Sequence, residues 1–237
     1  MRLALIGTGA MGQLVATQAR AAGDEIGATF GSEVAARSVS EFAEILSDHD
    51  AAIDFSVSGA VTKNVAACAS AGVPLVEGTT GWHDQETEIR RLVAEHKAAL
   101  VYGANFSVGV NVFYRLVAQA AKLMAGLDQY GVFIEEEHHA RKRDAPSGTA
   151  LKLKELLARD IKREIPVASV RAGYIPGTHR IGFDSAADQI TLTHMARSRE
   201  GFAAGALLAA RWIVGRQGMF EYSQVIDEVL DDRGRRD

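Results

Sequence analysis

The densest chemistry in the sequence lies between residues 135 and 150. It holds Glu135-Glu136-Glu137, the tandem His138-His139, Lys142 between Arg141 and Arg143, then Asp144 and Pro146-Ser147-Gly148-Thr149. An apolar run at 132–134 reads as a strand entering this stretch, and an amphipathic segment at 151–163 reads as a helix leaving it. Ser147 is placed to cap that helix, leaving the backbone N–H groups of Gly148 and Thr149 free at its first turn. Free donors at a helix start favour a carboxylate or phosphate. With Lys142 and His139 beside them, the loop becomes a cationic cradle for a small anion. Isolated histidines are more often structural. Two in tandem on a strand point to opposite faces, so only one meets a substrate directly unless the strand ends there. Glu135 to Glu137 alternate likewise; they suit a solvated edge, with one of them available to orient a histidine. Arg141 and Arg143 raise the local positive potential, and Asp144 braces the loop. Paired histidines also suggest zinc, but no cysteine lies nearby and adjacent histidines lack the usual ligand spacing, so no metal is expected. A hydrolase built on Ser147 lacks the nucleophile-elbow context.

A second motif opens the chain. Residues 2–6 read as a buried strand, Gly7-Thr8-Gly9-Ala10-Met11-Gly12 has the G-x-G-x-x-G spacing, and residues 13–22 read as a helix ended by Gly23. One glycine makes the tight turn, one lets backbone approach a pyrophosphate, and one lets helix and strand pack closely. That context points to a dinucleotide; the bland alternative is a glycine turn used for packing. The next strand, at 26–30, ends in Phe30-Gly31 where a ribose-binding acid is expected, followed by Ser32, Glu33 and, further on, Arg37. Without that acid, discrimination against a 2′-phosphate weakens, and the cofactor is NADPH, NADH or either.

Strands at 51–55, 73–77 and 98–102 alternate with helices at about 59–71 and 83–97. That rhythm implies a parallel sheet with helices on both faces, whose ligands sit at the carboxyl ends of the strands. Those ends carry Gly7 to Gly12, Phe55-Ser56, Gly78-Thr79-Thr80-Gly81-Trp82 and Ala104-Asn105-Phe106. Thr79 and Thr80 have hydroxyls for a carboxamide or carboxylate. A helix at 112–125 then leads away. Strands at 167–173, 177–183 and 189–194 suggest an open, mainly antiparallel sheet with one wet face, and a small-residue helix at 201–215 returns to the first domain.

Composition narrows the class. The 237 residues are 47% hydrophobic and 24% charged, ordinary for a globular chain. A formal net charge of -4 argues against a nucleic-acid binder. The single Cys68 excludes an internal disulfide and fits a reducing cytoplasm. No signal peptide, membrane span or repeat is visible. Arg233, Arg235 and Arg236, interleaved with acids, suit a solvated tail.

The run His138-His139-x-x-Lys142-x-Asp144-Ala145-Pro146-Ser147-Gly148-Thr149-Ala150 resembles the signature of the 4-hydroxy-tetrahydrodipicolinate (dihydrodipicolinate) reductase family. The Gly78–Gly81 and 104–111 loops, 171–177 and 193–199 resemble it too, so the likeness covers nearly the whole chain. It implies a Rossmann-like doubly wound parallel sheet (1–105 and 199–237). It adds a smaller α+β domain (106–198) with an open mixed, mainly antiparallel sheet for substrate binding and oligomerisation. The implied reaction is NAD(P)H-dependent reduction of 4-hydroxy-tetrahydrodipicolinate to tetrahydrodipicolinate with loss of water, in the diaminopimelate route to lysine. His138 is implied as general acid or base, Lys142 as proton donor, and His139, Ser147, Gly148, Thr149 and Thr80 as substrate contacts. Cofactor contacts are implied at Gly7, Thr8, Gly9, Ala10, Met11, Gly12, Phe55, Gly78, Thr79, Thr80, Ala104, Asn105 and Phe106. A cytoplasmic homotetramer acting on a small dicarboxylate, without nucleic acid or membrane, completes the expectation. Two departures stand out: the missing acid after Phe30 and the short region from Phe30 to Ala51. A reductase for another imino or oxo acid, and a sensing relative that only binds dinucleotide, are the alternatives.

Overall fold

The computed structural model describes residues 1–234, so Arg235 and Arg236 of the expected tail lie outside the described residues. In chain order the elements begin β1 Arg2–Ile6, α1 Ala10–Ala21, β2 Glu25–Phe30, α2 Val39–Leu46, β3 Ala51–Asp54 and α3 Val61–Ala71. They continue β4 Leu75–Glu77, α4 Glu86–Glu95, β5 Ala99–Tyr102, α5 Val108–Met124, β6 Gly131–His138 and α6 Gly148–Asp160. The last are β7 Val167–Arg171, β8 Thr178–Asp184, β9 Gln189–Met195, α7 Glu200–Ile213, β10 Gly218–Glu221 and α8 Tyr222–Gly234. The chain forms two compact units: Met1–Val108 together with the residues from Arg199 onward, and Gly109–Ser198.

The first unit is built on a six-stranded parallel sheet in the order β10-β5-β4-β3-β1-β2. Alternate residues of each strand face opposite sides, and both sides are apolar. Leu3, Leu5, Ile53 and Val101 pack under α1, α7 and α8. Ala4, Ile6, Ala52 and Leu100 pack under α2, α3 and α4. The chain leaves β1 in one direction to reach β2 and returns past it to β3, which makes the β1/β3 boundary the switch point where ligands of such sheets collect. The second unit has a four-stranded sheet, β7-β6-β8-β9, with β6 and β7 parallel and the other pairs antiparallel. Helices α5 and α6 cover one face through Phe113, Val117, Leu153 and Leu157 against Val132, Ile134, Ile181 and Phe183.

Both expected sheets are present, and their differences from the sequence reading sit at ends and short elements. Helix α5 starts at Val108, four residues earlier than the apolar periodicity indicated. The chain between Phe30 and Ala51 holds a 3-10 turn at Ser32–Ala36 and helix α2. Helix α2 carries a full capping box: Glu41 N–H donates to Ser38 Oγ, and the Ser38 N–H donates to Glu41. Strand β10 is only four residues long and begins at a glycine, too short to show a period.

Helix α7 lies so close to the end of β5 that a Cβ on Gly205 would fall 1.6 Å from the Phe106 carbonyl oxygen. Backbone cannot yield there as a flexible side chain could. Gly205→Ala should therefore lower stability by roughly 2 kcal/mol or more, the overpacking range. A urea midpoint equal to that of the parent would show that α7 can slide away freely.

Candidate active site

Strand β6 organises the second unit. Its even-numbered side chains face the helices, so Glu136 and His138 follow Val132 and Ile134 onto the covered face. Register brings three more polar groups to the same place. Glu136 is opposite Ser169 on β7 and His179 on β8, and His138 is opposite Arg171. Glu136 is fully buried. Its Oε1 accepts from Arg171 Nη2 at 2.6 Å, and its Oε2 lies 2.5 Å from His138 Nδ1, at ion-pair distance but without in-line hydrogen-bond geometry. The second histidine, His179, has its Nε2 3.1 Å from Ser147 Oγ, and the two imidazoles meet edge to face at 5.2 Å.

The charges follow from this packing. Burial alone would raise the Glu136 carboxyl, but hydrogen bonds from Arg171 and Ser169, with the charges of His138 and Arg171, hold it at about 2. Burial lowers His138, outweighing the pull of Glu136, and Lys142 and Arg171 push the same way. Burial, then repulsion from His138, takes His179 down to about 4. At neutral pH the cluster is thus one carboxylate, one guanidinium and two neutral imidazoles. With Glu136 beside Nδ1, the His138 proton belongs on Nδ1 and Nε2 is left as an acceptor.

Beyond β6 the chain turns. The Lys142 N–H donates to the His139 carbonyl at 3.0 Å, and the Ala140 N–H donates to that of Gly173. Because the strand ends at His138, His139 is freed from strict alternation; its Nδ1 is buried and has no partner among the described residues. Lys142 Nζ pairs with Asp144 Oδ1 at 2.9 Å, and the Asp144 carbonyl accepts from Arg171. The Ala145–Pro146 peptide is cis. Ser147 caps α6, its Oγ accepting from the Ala150 N–H at 3.2 Å, so Gly148 and Thr149 open the helix. Their N–H groups precede the first intrahelical bond. The Thr149 side chain hydrogen-bonds Tyr114.

In the first unit the glycine loop has the shape its spacing implies. Gly7 is at φ +104°, and a Cβ there would strike the Phe55 carbonyl at 2.4 Å. A Cβ on Gly12 would come within 2.0 Å of the Gly7 carbonyl, yet one on Gly9 would meet nothing within 4 Å. Gly9 also caps α1 without a side-chain hydrogen bond. Two glycines are therefore demanded by the protein itself, and the third leaves open backbone at a helix start. Beside it lies a cavity of about 610 Å³ bounded by Gly9, Ser32, Phe55, Val57 and Lys63. A smaller hollow of about 230 Å³ is bounded by Met11, Phe55, Gly78, Ala104, Phe106 and Arg199. Open backbone donors at Gly9, a switch-point cavity and a turn that tolerates no Cβ at Gly7 or Gly12 fit a dinucleotide.

Two family models match this chain: "Dihydrodipicolinate reductase, N-terminus" over residues 1–106 and "Dihydrodipicolinate reductase, C-terminus" over residues 109–226. The chain belongs to the dihydrodipicolinate reductase family. It is 36% identical to the 4-hydroxy-tetrahydrodipicolinate reductase of Christiangramia forsetii, over 97% of this chain and 99% of that one. It is 35% identical to that of Archaeoglobus fulgidus, over 96% and 100%. The fold is shared with a dipicolinate-bound dihydrodipicolinate reductase from Paenisporosarcina sp. TG-14, at TM-score 0.77 and 22% identity over 93% of this chain and 97% of that one.

For this member of the reductase family, the structure gathers His138, His139, Lys142, Ser147, Gly148 and Thr149 in the second unit, and places Thr80 in the first. Thr80 is exposed, but the Thr79 hydroxyl is already engaged, accepting from the Ser56 N–H of the turn after β3 at 3.1 Å and bonding Glu77 at the end of its own strand. Phe106 is buried against Tyr222, and Asn105 Oδ1 accepts from the Ser107 N–H, so both shape the loop, and Phe106 also borders the smaller hollow. Sequence reasoning left open which glutamate meets a histidine and did not single out Arg171 or His179. Glu136, His138 and His179 bring ligand-type atoms within 4.8 Å of one another, a grouping that spacing alone could not reveal. Arg171 on the same carboxylate supplies the positive charge there and disfavours a cation.

The neutral His179 carries a pH signature. Its folded value lies below the ordinary 6.5, so between about 6.5 and about 4 the unfolded chain holds a proton that the folded one does not. Stability present above that window is lost as pH falls through it, by roughly 2 kcal/mol between pH 7 and pH 5. Urea unfolding at both pH values should show His179→Gln losing less than the parent by about that amount. Equal losses in the two proteins would mean that His179 is protonated in the fold.

Proposed function

We propose that the chain reduces 4-hydroxy-tetrahydrodipicolinate to tetrahydrodipicolinate, with loss of water, in the diaminopimelate route to lysine. The observation that carries this reading is the convergence of a carboxylate-oriented neutral histidine, a lysine and an open helix start on one loop, in a chain matched by both halves of the reductase family. The first unit is the dinucleotide-binding domain, with Gly7 to Gly12 on the pyrophosphate and the loops at Phe55, Gly78–Thr80 and Ala104–Phe106 toward the nicotinamide. The second unit binds substrate and carries the oligomer contact. Its uncovered sheet face exposes Val170 and Met195, which suits a homotetramer. Among the described residues no helix is long and apolar enough to cross a membrane.

A ring dicarboxylate matches the charges, and the dipicolinate carried by the Paenisporosarcina relative is of that class. One carboxylate meets the Gly148 and Thr149 N–H groups, the Thr149 hydroxyl and His139. Lys142 exchanges its Asp144 partner for the other carboxylate, favours the imine and delivers a proton to the ring. Nε2 of His138, kept unprotonated, accepts or relays the proton that accompanies departure of hydroxide as water. Bound NADH or NADPH supplies the hydride that ring C4 receives. Lys142→Ala should lower kcat by about 10²–10⁴-fold, as for loss of a general acid, while leaving NADH affinity within about twofold. In a coupled assay with the synthase generating substrate in place, an unchanged kcat removes Lys142 from the mechanism.

The cofactor question turns on Glu33. No acid ends β2, but the Glu33 carboxylate folds back from the following turn and accepts from the Gly31 N–H at 2.6 Å, beside Thr8. Lys63, one of the nearby cations with Arg37, is already directed at the Val34, Ala35 and Arg37 carbonyls. Glu33 therefore stands in for the displaced acid and favours a ribose hydroxyl over a 2′-phosphate. Glu33→Ala should shift the NADH/NADPH ratio of kcat/KM toward NADPH by roughly tenfold, the scale of one good charged contact. A ratio that does not move would pass cofactor choice to Ser32 and Arg37.

A further inference from the structure

Strands β3 and β4 end in two carboxyl groups that the reaction above does not use. Asp54 and Glu77 are cross-strand neighbours in register, and neither has any exposed surface. Asp54 Oδ1 accepts from the Ser56 N–H at 2.7 Å and Oδ2 from Asn64 Nδ2 at 2.6 Å. Glu77 Oε1 accepts from the Thr79 N–H at 2.7 Å, and Oε2 meets no donor. Among the described residues no lysine, arginine or histidine pairs with either acid. The titratable groups packed around them are Cys68 from α3, and Tyr102 from β5, which lies in register with Glu77. Arg90 of α4 is directed to Glu86 and Tyr102, and Lys63 of α3 to the Val34 turn. Adjacent, buried and without a cation, two carboxylates cannot both stay ionised.

We propose that Asp54 and Glu77 share one proton, carried on Glu77 and donated to Asp54, and that this pair positions the two loops proposed above to receive the nicotinamide. Each acid clamps the first turn after its own strand, at Ser56 and at Thr79. The turns are joined in turn by the Ser56 N–H donating to Thr79 Oγ1. Between them Phe55 and Gly78 touch so closely that a Cβ on Gly78 would fall 2.1 Å from the Phe55 ring, and Phe55 borders both cavities. Burial and then the charge of Asp54 raise Glu77 well above a normal carboxyl; burial raises Asp54, while Ser56 and Asn64 pull it back. Loss of the shared proton would set two negative charges side by side and push the clamped turns apart. Asp54 and Glu77 are thus positioning residues, and the proposal rests on the dinucleotide reading of the first unit.

The test joins two readouts on the full chain. Infrared difference spectroscopy follows the protonated-carboxyl stretch from pH 6 upward, and nicotinamide fluorescence gives the NADH and NADPH Kd over the same range. Expected is a protonated carboxyl at neutral pH that is absent from Glu77→Gln. As that carboxyl titrates, the parent's Kd should rise by up to about tenfold per pH unit, while the Kd of Glu77→Gln stays flat. Asp54→Asn, which removes the neighbouring charge, should move the titration to lower pH. Absence of a Glu77 band at neutral pH overturns the shared proton. A band that titrates while the Kd of parent and Glu77→Gln change in parallel overturns the positioning role. If neither dinucleotide binds the parent at any pH, the dinucleotide reading fails and takes the positioning role with it, while the infrared band still decides the shared proton.

Discussion

A carboxylate removed from water needs a positive charge at close range, and in the second unit Glu136 has one in Arg171. Much of the local chemistry depends on that contact. It keeps Glu136 ionised despite complete burial, and the ionised oxygen on the other side faces His138. Arg171 also reaches the Asp144 carbonyl, so the same guanidinium steadies the loop that carries Lys142. Removal of Arg171 would leave an unpaired buried charge, a loss of the order of 3–5 kcal/mol where such pairs are broken. The histidine, the lysine loop and the helix cap are thereby arranged around one ion pair.

Strand geometry explains why this pair can form at all. Residues two apart on β6 share a face, so Glu136 and His138 project together into the layer beneath α5 and α6. The parallel neighbour β7 delivers Ser169 and Arg171 two residues apart, and the antiparallel neighbour β8 delivers His179. A one-residue slip of β6 would turn Val132 and Ile134 out of the core, and Glu136 and His138 with them. The apolar half of the strand thus holds the register that the polar half requires. The odd-numbered side chains Glu135 and Glu137 face the open side of the sheet, where Glu135 pairs with Arg180.

Much of this was legible from residue order because it is local. The glycine loop, the Ser147 cap and the alternation of strands and helices are written in consecutive residues, and each stands where its signal indicated. Contacts across the sheet are not written that way. Arg171 and His179 lie 35 and 43 positions from Glu136, and only pairing register reveals that they meet. Glu33 shows a subtler limit. A side chain three residues past the strand end can return its carboxylate to that end, so a motif counted by position can miss a group present in space. Thr79 shows the converse, since a hydroxyl well placed in the sequence is already engaged by Glu77 and by the neighbouring turn at Ser56.

The two units carry buried carboxyl groups in different protonation states, and the cause is the partner rather than the depth. Glu136 and Glu77 are both without exposed surface. Arg171 beside Glu136 repays desolvation and leaves an ion, useful for fixing a neutral imidazole. Asp54 beside Glu77 compounds desolvation and favours the acid, useful as a hydrogen-bond donor between strands. Burial sets the stakes in each case, and the neighbour decides the sign. A carboxylate beside a histidine must keep its charge to direct that histidine's proton, whereas one in the middle of a parallel sheet must lose it to let the strand ends close on each other.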